Sequence, residues 1–355
     1  MFQPQTYVRR TLNVTMIRSL NGHVSGAVNS VRFSSDGNYC MTAGDDRVIM
    51  LWNPHKDDPS NIGSALHIKS YSGVHGYSVL DVALANDNSK FASAGGDKSA
   101  FFWDISTGRV IRRIQAHSHR INSIAMNEES SVLFTASYDK TVSAWDLRSN
   151  SREPIQTMKD FTDSVTCVIT SLSSVITGCV DGKLRTYDIR SNRLSIDDLE
   201  ESITSVRLTN DKKCVLCSCI GRRTYRLLFI RILQSNRTTS TSGGTVRLVS
   251  LSSGQVLQEY KGSHMHESFK LESCISSDDS HVLSCSEDGN IVDYNLVSGT
   301  VCKVISTVSE NPQNTAKANV SSHLHTSLSS MSYHPKLPLL LTASYNGCVK
   351  IWNCS

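Results

Sequence analysis

All four tryptophans of this chain occur in one local pattern, with Asp or Asn immediately after each and Asp or Asn six positions before it. A rare residue in a fixed pattern indicates an internal repeat, and a repeat constrains both the fold and the kind of function. Each copy has a small hydroxyl residue, a turn and an apolar stretch ending in Trp. The copies are TAGDDRVIMLWN (42–53), SAGGDKSAFFWD (93–104), TASYDKTVSAWD (135–146) and TASYNGCVKIWN (342–353).

Two weaker copies carry Tyr in place of Trp, at 177–188 and 284–295. A seventh runs from CSCI (217–220) to GGTVRLVSL (243–251) and is interrupted by residues 221–242. Within each unit, short stretches of alternating apolar and polar residues are separated by Gly, Asn and Asp, which is typical of strands and turns. Four short strands in a unit of about 40 residues are typical of a propeller blade. The sequence therefore predicts an all-β, seven-bladed β-propeller.

The two ends of the chain complement each other. The last unit ends without an outer strand, whereas residues 13–20 (NVTMIRSL) precede the first unit and belong to no earlier blade. Because an unpaired strand edge promotes aggregation, we predict that residues 13–20 complete the last blade. The predicted organisation is a flexible N-terminus over 1–12 and a single propeller over 13–354. Its repeats lie near 20–53, 71–104, 115–146, 158–188, 199–251 with the insert 221–242, 260–295 and 322–353.

The first unit carries the residues of a known repeat. Gly22-His23, Thr42, Asp46 and Trp52-Asn53 resemble the WD-repeat family. The resemblance implies a hydrogen-bonded tetrad of His, Ser or Thr, Asp and Trp in each blade, which suits polar groups that must be satisfied when buried. The implied tetrads are His23, Thr42, Asp46 and Trp52; His75, Ser93, Asp97 and Trp103; and His117, Thr135, Asp139 and Trp145.

The later units depart from the tetrad pattern. The fourth has no upstream Gly-His, and the seventh has Asn346 where Asp is usual. Val74 and Ser263 separate Gly from His in the second and sixth units, so we expect both tetrads to be strained or differently seated. The matching residues of the fourth and sixth units are Thr177, Asp181 and Tyr187, and His264, Ser284, Asp288 and Tyr294.

No motif indicates an enzyme, a cofactor or a metal site. The sequence lacks GxxxxGK[ST], GxSxG and HExxH. The tetrads contain the residue types of a Ser/His/Asp triad, but they recur in several blades, which favours a structural role. The 11 cysteines are scattered, which predicts buried thiols in a reducing compartment. Cys214 and Cys217 would point to opposite faces of a strand. Of the three HxH pairs, 117/119 and 264/266 overlap the tetrad pattern and 323/325 does not, and a structural role is favoured for them, so no metal ligation is predicted.

The remaining candidate function is binding on one face of the ring. Loops between the second and third strands of each blade share this face with loops that enter the first strands. Tyr, Phe and Arg in such loops are typical anchors of protein interfaces, although isolated exposed aromatics are also ordinary. The candidate partner-binding residues are Asp45, Tyr77, Arg120, Tyr138, Phe269, Glu287 and Tyr345.

Several longer segments carry a narrower resemblance within the WD-repeat family. They resemble the mitogen-activated protein kinase organizer group, including loop residues that general WD repeats do not share. This implies a non-catalytic scaffold that assembles components of the extracellular-signal-regulated kinase cascade, in cytoplasm and nucleus. The alternative is a structural subunit of the spliceosome in pre-mRNA splicing. The segments are 36–54, 71–117, 153–158, 180–190 and 284–299.

Charge and hydropathy narrow the partners further. The insert 221–242 carries five arginines and no acidic residue, so the net charge of +4 becomes −1 without it. We therefore expect no sequence-specific nucleic-acid surface on the ring. With no signal-peptide pattern and no apolar run long enough to span a membrane, we expect neither secretion nor a membrane span. The cytoplasmic and nuclear location is what the resemblance implies, and we expect a monomeric propeller within larger complexes. Arg9, Arg10 and Arg18 allow a mitochondrial presequence as the alternative, but removing it would remove the predicted strand.

Three interpretations of the insert remain open. The first is a loop that binds an acidic partner. The second is a kinase-docking peptide, with Arg222-Arg223 ahead of Leu227-Leu228-Phe229, and the third is an artefact, either a retained intron or a faulty gene model. The last is favoured because the insert breaks the repeat inside a blade. Arg9-Arg10 followed by Leu12 and Val14 has the same docking form.

Overall fold

The structure is a computed structural model that describes residues 12–191, 193–221, 244–307 and 327–355. Across these ranges the regular elements are strands, and none of them is helical. In chain order the strands are β1 (Val14–Leu20), β2 (Val28–Phe33), β3 (Cys40–Gly44), β4 (Ile49–Asp58), β5 (Asn61–Tyr71), β6 (Val79–Leu84), β7 (Lys90–Gly95), β8 (Ser99–Asp104), β9 (Val110–Gln115), β10 (Ile121–Met126), β11 (Val132–Ser137), β12 (Val142–Asp146), β13 (Gln156–Met158), β14 (Val165–Thr170), β15 (Ser174–Cys179), β16 (Lys183–Asp188), β17 (Arg193–Asp198), β18 (Ser202–Leu208), β19 (Cys214–Ile220), β20 (Thr245–Ser250), β21 (Val256–Tyr260), β22 (Ser273–Ile275), β23 (His281–Cys285), β24 (Asn290–Asn295), β25 (Val301–Ser306), β26 (Leu328–Tyr333), β27 (Leu339–Ser344) and β28 (Val349–Cys354).

The strands form seven antiparallel blades of four. Blades two to six are β6–β9, β10–β13, β14–β17, β18–β21 and β22–β25. Blade one is β2–β5, and blade seven is β26, β27, β28 and β1. A single parallel bridge between Ser19 and Ser64 joins these two blades into an eight-stranded sheet. The predicted all-β propeller is confirmed.

The first strand of every blade lies next to the first strand of the following blade. These contacts run around the ring, and β26 of blade seven contacts β2 of blade one. The apolar core is divided accordingly, with one buried cluster between each pair of adjacent blades. Between blades seven and one, for example, Leu341 and Ile351 pack with Leu20, Val28 and Trp52. Each blade therefore depends on both neighbours to bury its faces.

The N-terminal strand closes the ring as predicted. β1 pairs antiparallel with β28, from Val14 opposite Cys354 to Leu20 opposite Val349. Leu20 is 1% exposed and packs in the cluster between blades seven and one, whereas Met16 on the same strand is 52% exposed. The pairing satisfies the edge of β28 that would otherwise face solvent.

Blade five pairs on both sides of its insert. β19 and β20 are antiparallel from Cys214 opposite Ser250 to Cys219 opposite Thr245, which agrees with the interrupted repeat. Residues 222–243 lie outside the described residues, so all three interpretations of the insert stay hypotheses. Residues 1–11 and 308–326 also lie outside, so the flexible N-terminus stays a prediction.

The ring has two faces defined by its loops. Because neighbouring strands are antiparallel, loops between second and third strands lie at the same end as loops that enter the next blade. We call this end the upper face and the opposite end the lower face. The residue after the turn Asp has positive φ: Arg47 has φ 64 and Gly182 has φ 83. The turn is therefore the same in blades one and four, although glycine adopts this backbone with less strain.

Candidate functional site

The predicted tetrad of blade two is a continuous chain of hydrogen bonds. Trp103 Nε1 donates to Ser93 Oγ at 2.8 Å, and Ser93 Oγ lies 2.7 Å from His75 Nε2. His75 Nδ1 lies 2.6 Å from Asp97 Oδ2. The consistent assignment has the serine donating to Nε2 and the imidazole donating to the carboxylate. Val74 therefore does not disturb this tetrad, which corrects the expectation of strain there.

Blades one and three have the same arrangement. In blade one, His23 lies 2.8 Å from both Thr42 Oγ1 and Asp46 Oδ2, and Trp52 Nε1 donates to Thr42 Oγ1 at 3.0 Å. The corresponding distances in blade three join His117 to Thr135 at 2.8 Å, His117 to Asp139 at 3.0 Å and Trp145 to Thr135 at 3.1 Å.

Electrostatics suit a structural role for the tetrads. Burial opposes ionisation of Asp139, but hydrogen bonds from His117 and Thr141 outweigh it and hold the pKa of this carboxyl below its ordinary range. Burial lowers the pKa of His75 despite its contact with Asp97. The hydroxyls of Thr42, Ser93 and Thr135 belong to fully buried residues. A buried hydroxyl with fixed partners holds strands together and offers a substrate no access.

Blade four replaces the missing His with another side chain. Arg185 is 2% exposed and donates from Nη2 to Asp181 Oδ2 at 2.7 Å. Its guanidinium lies 4.8 Å from the centroid of the Phe161 ring, and Thr162 Oγ1 donates to the same carboxylate at 2.8 Å. An ion pair beside an aromatic ring thus occupies the place of the tetrad. The sequence signal was Arg at the strand position two residues before Tyr187, in a unit without Gly-His.

The tetrad residues of blade six make other contacts than those of blades one to three, as expected from the extra Ser263. His264 Nδ1 lies 2.6 Å from the Tyr294 hydroxyl, whereas His264 Nε2 has no hydrogen-bond partner among the described residues. Asp288 instead accepts from the backbone N–H of Asn290 in its own turn, at 3.1 Å. Burial lowers the pKa of His264 to about 4, so the ring is neutral near pH 7.

Blade seven keeps two parts of the pattern, the hydrogen bond from Trp to Thr and the turn. Trp352 Nε1 donates to Thr342 Oγ1 at 2.8 Å. Asn346 Oδ1 accepts from the backbone N–H of Cys348 at 2.9 Å, so the amide holds the turn as Asp does elsewhere. His323 and His325 lie outside the described residues.

Three of the candidate partner-binding residues are exposed on the upper face. Tyr77 is 66% exposed and Tyr138 is 49% exposed, on the adjacent blades two and three. The exposed Arg120 guanidinium lies 5.1 Å from the centroid of the Tyr138 ring, and the His119 ring packs against the same tyrosine at 5.8 Å. We call Tyr77, His119, Arg120 and Tyr138 the aromatic patch. Large planar groups with an arginine are the side chains that contribute most at protein interfaces.

The other candidate residues also make contacts within the ring. Phe269 and Tyr345 are half-buried and pack together at 5.2 Å, and the Tyr345 hydroxyl donates to the Lys270 carbonyl at 3.1 Å. Glu287 Oε1 accepts from three successive backbone N–H groups, the last of them Phe269 at 3.0 Å. Asp45 is exposed and accepts from Asn29 at 2.8 Å. These contacts order the loops, so the aromatic patch is the more available part of the face.

A charged network around the ring axis was not predicted. Arg32 on β2 makes a two-pronged contact with Glu272 at 2.8 Å for both bonds, and it also donates to Asp81 at 2.9 Å. Arg207 donates to Glu272 at 3.0 Å. These residues belong to four blades, and three of them line a cavity of about 300 Å³. Sequence periodicity places each on a first strand or just before one, but it does not show which charges meet.

Comparison with known proteins gives two family matches. The model described as "WD domain, G-beta repeat" matches residues 14–53 and 315–353. The model described as "Nucleolar protein 10-like, N-terminal domain" matches residues 76–260. Among the described residues, no helix is long and apolar enough to cross a membrane.

Curated relatives match over nearly the whole chain. WD repeat domain-containing protein 83 homolog of Dictyostelium discoideum is 32% identical over 97% of this chain and 99% of its own length. WD repeat domain-containing protein 83 of Xenopus tropicalis is 38% identical over 92% of this chain and 88% of its own length. The Homo sapiens protein of the same name is 36% identical over the same shares.

Proposed function

Because the chain belongs to the WD-repeat propeller family and is homologous to WD repeat domain-containing protein 83, we propose that it is a non-catalytic scaffold whose upper face binds other proteins. The observation that carries this proposal is the aromatic patch, in which Tyr77 and Tyr138 are exposed on adjacent blades and Arg120 lies against the Tyr138 ring. Aromatic residues and arginine are enriched in the energetically dominant parts of interfaces.

The tetrads support this role by holding the patch in place. Tyr138 directly precedes Asp139, and its backbone N–H donates to the Arg120 carbonyl at 3.0 Å. Tyr77 follows His75 by two residues, and the intervening Gly76 N–H donates to Asp97 Oδ1 at 2.8 Å. Rigid loops lose little conformational entropy when a partner binds. The buried networks therefore prepare the exposed residues for association.

More specifically, the partners we propose are components of the extracellular-signal-regulated kinase cascade, bound in cytoplasm and nucleus by one propeller within a larger complex. This rests on the resemblance of segments such as 71–117 and 284–299 to the kinase-organizer group. The near-neutral ring favours contacts with proteins over sequence-specific contacts with nucleic acid. Assembly of splicing factors is the competing outcome of the same experiment.

Quantitative affinity capture with mass spectrometry tests the proposal. The tagged chain is compared with the double variant Tyr77→Ala/Tyr138→Ala and with the control Ile62→Ala/Leu172→Ala. Ile62 and Leu172 are 94% and 71% exposed and lie towards the lower face. We expect kinase components to be recovered by the wild type and the control, and to fall by about tenfold or more in the upper-face variant. A binding titration with each purified partner then measures the direct contact.

The outcomes separate the two assignments. Recovery of splicing factors without kinases overturns the kinase proposal but keeps the scaffold. Equal recovery by the upper-face and lower-face variants overturns the assignment of the aromatic patch. Equal melting temperatures of the two variants show that a lost partner reflects the surface and not the fold.

A further inference from the structure

Three potential metal ligands meet on three neighbouring strands of blade six. His281 lies on β23, Asp293 on β24 and Cys302 on β25, and one ligand atom of each lies within 4.8 Å of the other two. Leu283 pairs with Asp293, so His281, two residues away, lies on the same face of the sheet. Cys302 is the extra residue of a bulge, because Asp293 pairs with Lys303 and Tyr294 pairs with Val301. The bulge places the thiol beside the other two groups.

The carboxylate of Asp293 is incompletely satisfied. Asp293 is 0% exposed, and its Oδ1 accepts from His281 Nδ1 at 2.8 Å. Its Oδ2 is buried and has no hydrogen-bond partner within the described ranges. A buried carboxylate oxygen without a donor or cation is costly, and such atoms in folded proteins usually indicate a bound water or ion. The Nδ1 atom of His281 already contacts Oδ1, so it does not also serve as the hydrogen-bond donor to Oδ2.

The donor set identifies the class of ion. Imidazole nitrogen, carboxylate oxygen and cysteine sulfur together suit Zn²⁺, whereas Ca²⁺ and Mg²⁺ favour oxygen ligands. Three protein ligands leave one tetrahedral position for water. The half-buried Cys302 lies on the outer strand, which gives an ion access from solvent. We propose that His281, Asp293 and Cys302 bind one zinc ion, with Cys302 as thiolate and its proton released to solvent.

The position of this cluster gives the ion a structural purpose. Blade six lacks the complete tetrad, since His264 contacts Tyr294 and Asp288 holds only its own turn. A zinc ion would join the second, third and outer strands of that same blade. None of its ligands belongs to the aromatic patch, so the inference is independent of the proposed partners.

Metal titration of the purified chain tests the site. After removal of bound metal by a chelator, Zn²⁺ binding is measured by calorimetry, and Co²⁺ is used as a probe because thiolate coordination gives an intense charge-transfer absorption. We expect one ion per chain, thiolate absorption with Co²⁺ and a higher melting temperature with Zn²⁺. Cys302→Ser and Asp293→Asn should each weaken binding by at least about tenfold. Cys348→Ser, which changes an exposed cysteine of blade seven, should leave it unchanged.

Two results would overturn the proposal. One is a wild-type chain that takes up no stoichiometric Zn²⁺, and the other is equal affinity in the wild type and Cys302→Ser. If Cys302→Ser does not fold, the Co²⁺ spectrum of the wild type decides the question, because absence of thiolate absorption excludes Cys302 as a ligand.

Discussion

At the scale of single residues, the tetrads show how buried polar groups become stabilising. Ser93 is fully buried, and its one hydroxyl satisfies both the Trp103 indole and the His75 imidazole. Both rings also pack into blade two, where His75 and Trp103 lie stacked at 6.4 Å. The hydroxyl therefore matters less for its own bonds than for the two larger groups that would lose a partner.

We expect Ser93→Ala to lower the free energy of unfolding by about 2–4 kcal/mol, because each buried group left unsatisfied costs about 1–3 kcal/mol. Urea denaturation followed by tryptophan fluorescence measures the change. Ser72→Ala, at an exposed position of the loop that carries His75, is the matched control and should change the free energy of unfolding by less than about 0.5 kcal/mol. Equal stability of the two variants would contradict the structural role of the tetrad.

The tetrad residues of blades one to three could be named from the sequence because these units keep the local pattern that resembles the WD repeat. In blade four the sequence shows Arg185 at an unusual position but not its contact with Phe161, since Arg185 lies on β16 and Phe161 in a loop and the two meet only after folding. The same holds for His281, Asp293 and Cys302, whose proximity depends on a bulge between Asp293 and Tyr294. Local sequence determines which strand a side chain occupies, whereas its partners depend on register and neighbouring blades.

At the scale of elements, β1 determines whether the ring is closed. Six pairs of residues join it to β28, and its ends bury Val14 and Leu20 in two different apolar clusters. The sequence predicted this strand from an unmatched segment before the first repeat. Its outward residues, such as Met16, were not distinguished by pattern alone, because the bulge between Met16 and Arg18 breaks the alternation.

Deletion of residues 1–20 should lower the melting temperature and promote association, because it uncovers the edge of β28 and two apolar clusters. Leu20→Ala alone should cost about 2–5 kcal/mol. Met16→Ala, at an exposed position of the same strand, should be within about 0.5 kcal/mol of the wild type. Thermal unfolding and light scattering provide the measurements. An unchanged melting temperature after deletion would exclude closure by β1.

At the scale of the whole molecule, the axial network connects blades that are distant in sequence. Glu272 accepts from Arg32 of blade one, Arg207 of blade five and Ser330 of blade seven. Asp81 of blade two accepts one hydrogen bond from Arg32 Nη2 and another from the Ser123 hydroxyl of blade three. Burial opposes ionisation of Glu272, but the two arginines outweigh it and lower its pKa. The stabilisation by the network is therefore complete above the ordinary pKa of glutamate and is lost progressively as the pH falls from there towards the lowered pKa of Glu272 in the folded chain.

A double-mutant cycle across the ring tests this coupling. Glu272→Ala leaves the Arg32 guanidinium without its main partner in a buried site, so we expect a loss of about 3–5 kcal/mol. The double variant Arg32→Met/Glu272→Ala should lose less than the sum of the losses in Arg32→Met and Glu272→Ala, because the contact between the two charges is counted in both single variants, while Asp81 and Arg207 each lose one partner. Glu153→Ala changes an exposed carboxylate and is the control, with an expected change below about 0.5 kcal/mol. Free energies from urea denaturation give the coupling energy. If the effects at 32 and 272 were additive, the two residues would act separately, and closure would depend on the apolar clusters and β1 instead of the axial charges.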